Sequence, residues 1–281
     1  MMLFWFEIFK TFRRWRTYIS FTVIALIVIL TEVVMKLSAG EVVHRMLRPF
    51  QRDFLITGNI LNAWFVTAFI MNSLHIHIPF LITLVAGDMV SSEATSGTIR
   101  FLLIRPPSRG RIITAKYLTA LFYTAILVIF FALVCVLLGV PLFGSGDLII
   151  HHYGKFDIAF IPESEIPLRL FFAFAAAIWS MSVVASIAFL FSTLAENSIG
   201  PIIGTMAVVI VFLVLGNLPL DFFRNMKPYL FTTYMINLWQ QFLNLRIPWP
   251  EIGRSAIILG LHNVGLFLIA FFVFKRKDIK S

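Results

Sequence analysis

Cysteine is nearly absent: Cys135 is the single thiol in 281 residues, so the chain can form no internal disulfide and no thiolate metal site. It lies within an apolar run and is expected to serve as a small packing residue. Charge is scarce too, at 13% of positions. With so little charge there is no soluble basic face interleaved with exposed aromatics, and the formal charge of +9 does not describe a nucleic-acid binder. Neither H-E-x-x-H nor G-x-S-x-G occurs, and no carboxylates pair within an apolar run, which removes the usual signatures of an intramembrane hydrolase. A G-x-x-x-x-G-K-[ST] loop is missing as well. Without that phosphate cradle the chain is not expected to hydrolyse ATP, or to be an enzyme, by itself.

What fills the chain is apolar. Hydrophobic residues occupy 59% of positions and the mean hydropathy is +0.92, values of a membrane protein. A hydrocarbon core of about 30 Å needs about 20 apolar residues per helical span. Six runs meet that length, near Tyr18 to Lys36, Asn59 to Ala86, Thr114 to Val140, Leu170 to Leu194, Ile199 to Leu218 and Ser255 to Phe274. They are long and apolar all round, which excludes a closed barrel of short alternating strands. The expected fold is an all-α polytopic membrane protein with six transmembrane helices in one domain over residues 1–281.

Positive charge orients the spans, because cytoplasmic loops retain Lys and Arg during insertion. Six spans put both termini on one side. The N-terminal arm, the loop after span two, the link near Glu196 and the tail together carry 13 basic and 5 acidic residues, against 10 and 9 elsewhere. That side is expected to be the cytoplasm, with the chain multi-pass in the cell membrane. Residues 1–17 read as an uncleaved amphipathic arm: Phe4, Ile8, Phe12 and Trp15 recur at helical spacing while Lys10, Arg13 and Arg14 lie off that stripe. Such a helix can lie flat on the inner membrane surface, and a plain positively charged flank to span one is the alternative reading.

Between spans two and three runs a basic segment punctuated by Gly and Pro, residues 87–113. Gly87 and Asp88 end the apolar run, and Asp88 is placed to cap a new turn. Past Gly97-Thr98, the side chains of Ile99, Leu102 and Leu103 share a helical face with Arg100 turned away. Arg105-Pro106-Pro107 stops that helix, since proline biases Arg105 out of helical geometry and donates no backbone hydrogen bond. Ser108 is placed to cap the next helix, and Arg109, Arg111 and Lys116 are expected to anchor span three among the headgroups. The segment therefore reads as a short, rigid cytoplasmic hook.

The order Glu93, Gly97-Thr98, Ile99 to Ile104, Arg105-Pro106, Ser108-Arg109-Gly110-Arg111 and Lys116 resembles the signature of type 2 ATP-binding-cassette transporter permeases. Six spans, a surface helix at the N-terminus and an irregular extracytoplasmic segment at 219–254 extend the likeness over the chain. One departure is Ser91-Ser92-Glu93-Ala94, where many members carry an acidic pair or triplet. The resemblance implies that the hook is a coupling helix, with Glu93, Gly97, Thr98, Ile99, Arg100, Leu102, Leu103, Arg105, Arg109 and Arg111 seated against a separate nucleotide-binding ATPase. It further implies two ATPase copies carrying ATP and magnesium and a second permease chain, identical or related. This chain itself would bind no cofactor, and transport would run as export. The lack of charge in the spans points to an amphipathic or hydrophobic cargo.

Polar residues within the runs are candidates for the transport pathway or a dimer interface: Asn62, Asn72, His75, Gly200 and Gly204. His75 and His77 lie two apart, so on a helix they point away from each other and do not share a metal. Pro79 is expected to kink span two. The G-x-x-x-G spacing of Gly200 and Gly204 permits close backbone approach, and interhelical packing is the competing role for all five. Outside, His151 and His152 with Asp147 and Asp157 form at best a weak metal set. Glu32 lies toward the outer end of span one, where Lys36 is spaced to pair with it. With that acid neutralised, proton coupling lacks a mid-membrane carboxylate, and an ion-driven secondary transporter is the weaker alternative. A non-transporting, ATPase-coupled sensor or scaffold is a further one.

Overall fold

The computed structural model describes residues 2–41, 61–73, 76–96, 108–151, 158–218 and 225–276. In chain order the helices are α1 (Met2–Phe12), α2 (Trp15–Leu37), α3 (Ala63–Ser73), α4 (His77–Ala86), α5 (Ser91–Thr95) and α6 (Arg109–Phe143). A two-stranded ribbon, β1 (Leu148–His151) and β2 (Ile158–Ile161), precedes α7 (Ile166–Leu194), α8 (Ile199–Asn217), α9 (Phe231–Gln240) and α10 (Trp249–Arg276). Among the described residues α2, α6, α7, α8 and α10 are long and apolar enough to cross a membrane, and α3 with the helical stretch that follows makes a sixth span if that bent pair is one. The protein is an all-α polytopic membrane protein, apart from the ribbon.

Local chemistry accounts for the helix ends. The direction of α3 and that of the helical stretch His77–Thr95 differ by 61°. Pro79 falls in the first turn of α4, where its missing N–H would lack an intrahelical partner anyway. Ser108 holds the extended N-cap backbone of α6 but makes no side-chain cap bond. At the other end Gly144, with φ of 71°, closes α6 and returns its N–H to the Val140 carbonyl, a geometry that side chains with a Cβ rarely adopt.

Helix α7 is the axis of the bundle. Of its most apolar window 72% is buried, against 22 to 33% for the other long spans. Its interior run of Ala, Ser and Val brings neighbouring backbones close, the usual basis of helix packing in lipid. Four polar groups lock it to α6 and α10. Asn263 Nδ2 donates to Ser182 Oγ at 2.6 Å, Ser186 Oγ donates to Asn263 Oδ1 at 2.7 Å, and the Tyr117 hydroxyl lies 2.9 Å from Ser186 Oγ. Trp179 Nε1 adds a bond to the Ala256 carbonyl at 2.9 Å.

Two expectations change here. The ribbon pairs Leu148 with Ile161 through His151 with Ile158 in antiparallel register, and its apolar ends Leu148 and Ile161 are buried. The stretch after span five is not irregular throughout. Helix α9 packs Phe231, Met235, Leu238 and Trp239 into the core against α7 and α10.

Candidate functional site

Glu7 and Lys10 of the N-terminal arm and Glu93 of α5 converge on one buried seat. At its centre is Lys116, in the second turn of α6 and 1% exposed. An ammonium has three N–H donors, and here each has an acceptor: Glu93 Oε1 at 2.5 Å, Glu7 Oε2 at 2.9 Å and the Met89 carbonyl at 3.3 Å. Glu93 also pairs with Lys10 from α1. Two carboxylates and two ammonium groups therefore balance. Lys116 is thus no headgroup anchor; the fold sinks it because two acids sealed from water need a cation between them.

Helix α1 is seated through polar residues. Glu7 and Thr11 are its buried positions, while Trp5, Phe6 and Phe9 are exposed. Of the predicted stripe, Phe4, Ile8 and Phe12 are half-buried at the margin of that contact, with Phe4 against Phe122 and Phe12 against Tyr123, whereas Trp15 is exposed at the start of α2. The turn between α4 and α5 is fastened from three sides. Ser192 Oγ of α7 accepts from both Val90 N and Ser91 N at 3.0 Å. Thr95 Oγ1 donates to the Glu196 carbonyl at 2.9 Å. Gly87 lies so near α8 that a Cβ there would stand 3.3 Å from Pro201 Cβ.

Asp88 does not cap a helix. Its carboxylate accepts from Arg14 Nη1 at 3.0 Å and Arg16 Nη1 at 2.9 Å, and the N-cap position of α5 is Val90, without a side-chain cap bond. Glu93 follows the apolar run that ends at Ala86. Burial alone would raise its carboxyl, but the ammonium groups of Lys116 and Lys10 outweigh burial and hold it below the ordinary carboxylate range.

Of the coupling residues expected from the sequence, Glu93 is in this seat, and Arg109 is half-buried with Nη1 donating to the Lys275 carbonyl at 3.3 Å. Arg111 is exposed. Gly97, Thr98, Ile99, Arg100, Leu102, Leu103 and Arg105 lie outside the described residues, as does His75. Glu7, Lys10, Arg14 and Arg16 were not singled out as partners of Glu93 and Asp88. A lone Glu7 inside an aromatic helix, three residues before Lys10 and four before Thr11, was the available signal.

The candidates for pathway or interface have uses within the chain. Asn62 Oδ1 accepts from Phe65 N at 3.0 Å, a cap on α3, and its Nδ2 donates to the Asp147 carbonyl at 2.6 Å. Asn72 Oδ1 accepts from Gln240 Nε2 at 3.0 Å. Gly200 N donates to Asn197 Oδ1 at 2.7 Å, and a Cβ on Gly204 would stand 3.3 Å from the Phe191 ring. After α6, Asp147 Oδ1 accepts from Glu163 N at 2.9 Å; His152 and Asp157 lie outside the described residues. Among the described residues no three His, Cys, Asp or Glu side chains gather to hold a metal ion.

One pairing expected from the sequence is overturned. Lys36 does not meet Glu32: its Nζ donates to the Leu142 carbonyl at 2.5 Å and lies 5.5 Å from the centre of the Phe143 ring. Glu32 is 0% exposed and neither carboxyl oxygen has a hydrogen-bond partner among the described residues. Its Oε1 faces Gly139, where a Cβ would stand 3.6 Å away, and Ala63 adjoins the same spot.

Bundle and seat together define a helical multi-pass membrane protein whose N-terminal helix is ion-paired to α5 through Lys10 and Glu93 and to α6 through Glu7 and Lys116. The chain belongs to the family described as "Protein of unknown function (DUF2705)", whose model matches residues 69–280. It is also similar to "Uncharacterized protein YhcI" of Bacillus subtilis (strain 168), at 27% identity over 205 residues, 70% of this chain and 63% of that protein. The match thus spans less than two thirds of that relative's length.

Proposed function

We propose that this chain is the transmembrane permease subunit of an ATP-binding-cassette transporter, exporting an amphipathic or hydrophobic substrate under the drive of a separate ATPase. The observation that carries this reading is the ion pair between Glu93 and Lys116, 2.5 Å apart. These residues are the first and last positions of the hook pattern, so a salt bridge closes the segment into a loop at its base. A push on such a loop reaches α1 through Glu7 and Lys10, α6 through Lys116 and α7 through Ser192 together, as rigid-body transmission requires. A loop that only enforced topology would need positive charge and no buried closure.

The reading implies two ATPase subunits holding ATP and magnesium, a second permease chain, and a place in the cell membrane with both termini cytoplasmic. Its test is coexpression with a candidate nucleotide-binding ATPase subunit, comparing wild type with the Glu93→Lys, Arg100→Glu chain after membrane insertion is checked. Loss of ATPase copurification and stimulation is expected; retention of both would refute the coupling role. A sensor or scaffold would keep that dependence while moving no member of a substrate panel in proteoliposomes.

Proton-driven secondary transport is a second reading, favoured by Glu32 alone: a carboxyl sealed in the outer half of span one, with Lys36 turned away from it. Transport that stops when the proton gradient is collapsed at constant ATP, and that Glu32→Gln abolishes, would replace the first reading with this one.

A further inference from the structure

The corner between α1 and α2 carries a charge that its ion pairs do not balance. Asp88 is one carboxylate, and it faces two guanidinium groups, Arg14 and Arg16. The Asp88 side chain is 6% exposed, while those of Arg14 and Arg16 are 33% and 57% exposed. The acid is therefore the floor of an open cavity of about 460 Å³ and the two arginines stand in its wall. That is within the range of about 300–1,000 Å³ typical of ligand pockets.

Each guanidinium offers five N–H donors in a planar fork; Asp88 engages one nitrogen of each, and the same Arg14 Nη1 also donates to Ser92 Oγ at 3.1 Å, leaving Nη2 and Nε of both arginines. The hydroxyls of Ser92 and Thr95, in the same wall, already donate to the Asp88 and Ser91 carbonyls. What is left for a ligand is a pair of arginine forks with a net positive charge, the donor set that matches phosphate oxygens.

The surroundings identify the source of the phosphate. Trp15 lines the cavity and is 80% exposed. Tyr18 and Ile19, then Leu26, Ile29 and Leu30, are exposed along α2 beyond it, on a helix long and apolar enough to span the bilayer. The cavity thus opens at the end of a spanning helix, where indoles sit among headgroups, and continues into a surface suited to acyl chains. We propose that Arg14 and Arg16 form a binding site for the phosphate of an anionic phospholipid whose chains lie along the exposed face of α2. Asp88 is shared between this site and the turn that leads to Glu93, so a bound lipid bears on the seat.

The test uses the full chain in mixed micelles and native mass spectrometry, with phosphatidylglycerol and phosphatidylcholine offered in equal amounts. Wild type is expected to retain phosphatidylglycerol preferentially, by about fivefold. Arg16→Gln is expected to bring that ratio close to one with an unchanged melting transition. Arg13→Gln, which alters an exposed neighbour stacked on Phe9, is expected to keep most of the preference. No preference in wild type, equal losses in the two variants, or an unchanged ratio in Arg16→Gln would each overturn the site. Inorganic phosphate alone is the remaining probe: if it displaces the lipid at millimolar concentration the ligand is the free anion, and the lipid assignment falls. No ATPase takes part, so the outcome is independent of the transporter reading.

Discussion

Glu93 and Glu32 are sealed in protein near opposite ends of α2, and their surroundings could hardly differ more. Glu93 lies beside Lys10 and Lys116, one of them fully buried with it. Glu32 has no hydrogen-bond partner among the described residues, although a lysine stands one turn further along its own helix. Helical spacing assigns the partners the other way round, giving Glu32 its Lys36 and leaving Glu93 on a surface hook. The comparison teaches that i, i+4 proximity is a weak claim on a long side chain, worth about 0.2–0.5 kcal/mol. A carbonyl or ring within reach of a flexible lysine outbids it easily, whereas a buried acid with no route to water binds the fold around its cation.

The largest break in that comparison is Lys116→Met. It leaves Glu7 and Glu93 facing each other without their shared cation and is expected to cost about 3–5 kcal/mol, read as a lowered thermal transition in detergent. Adding Glu7→Gln and Glu93→Gln to it should recover most of the loss; a chain that stays equally unstable would show that packing, not charge, holds the seat.

Glu93→Gln alone is expected to cost about 2 kcal/mol, since one oxygen remains to accept but the charge balance is lost. The same residue has a pH signature. Its carboxyl is held below the ordinary carboxylate range, so its contribution is fully present above that range and disappears as pH falls from there through the lower folded value. Stability measured downward from pH 5 should therefore decline more steeply in wild type than in Glu93→Gln, and parallel curves would contradict the ion pairs.

Between the two acids stands the uncharged network of α6, α7 and α10. Asn263→Leu should cost about 0.6–1.7 kcal/mol, the span measured for hydrogen bonds between membrane helices. The smallest effect is expected from the other acid. A double-mutant cycle of Glu32→Gln with Lys36→Met should give a coupling within about 0.5 kcal/mol of zero, and a larger value would restore the pair that helical spacing suggested.

Much of the architecture was legible in the residues. Five of the apolar runs coincide with helices long and apolar enough to cross a membrane, and the run from Asn59 to Ala86 falls on the bent helix pair that makes a sixth span if the pair is one, because about 20 apolar residues have few other stable arrangements in lipid. The break ahead of Pro79 and the start of α6 after Pro106-Pro107 were equally readable, since proline acts on its own backbone. Helix α1 was foreseen as a helix but its seated face was not. An apolar stripe is the usual sign of a buried face, and here Glu7 and Thr11 hold that place because their partners come from elsewhere in the chain.

What the sequence determined by itself is the set of spans, their ends and the asymmetry of positive charge, properties set by each segment's own transfer into lipid. What only the tertiary structure decided is which charges meet. Lys116 and Glu7 are 109 residues apart, and Lys10 and Glu93 are 83 apart. No local periodicity encodes such pairs, because they exist only once the arm, the broken second span and the foot of α6 have packed against one another and closed water out.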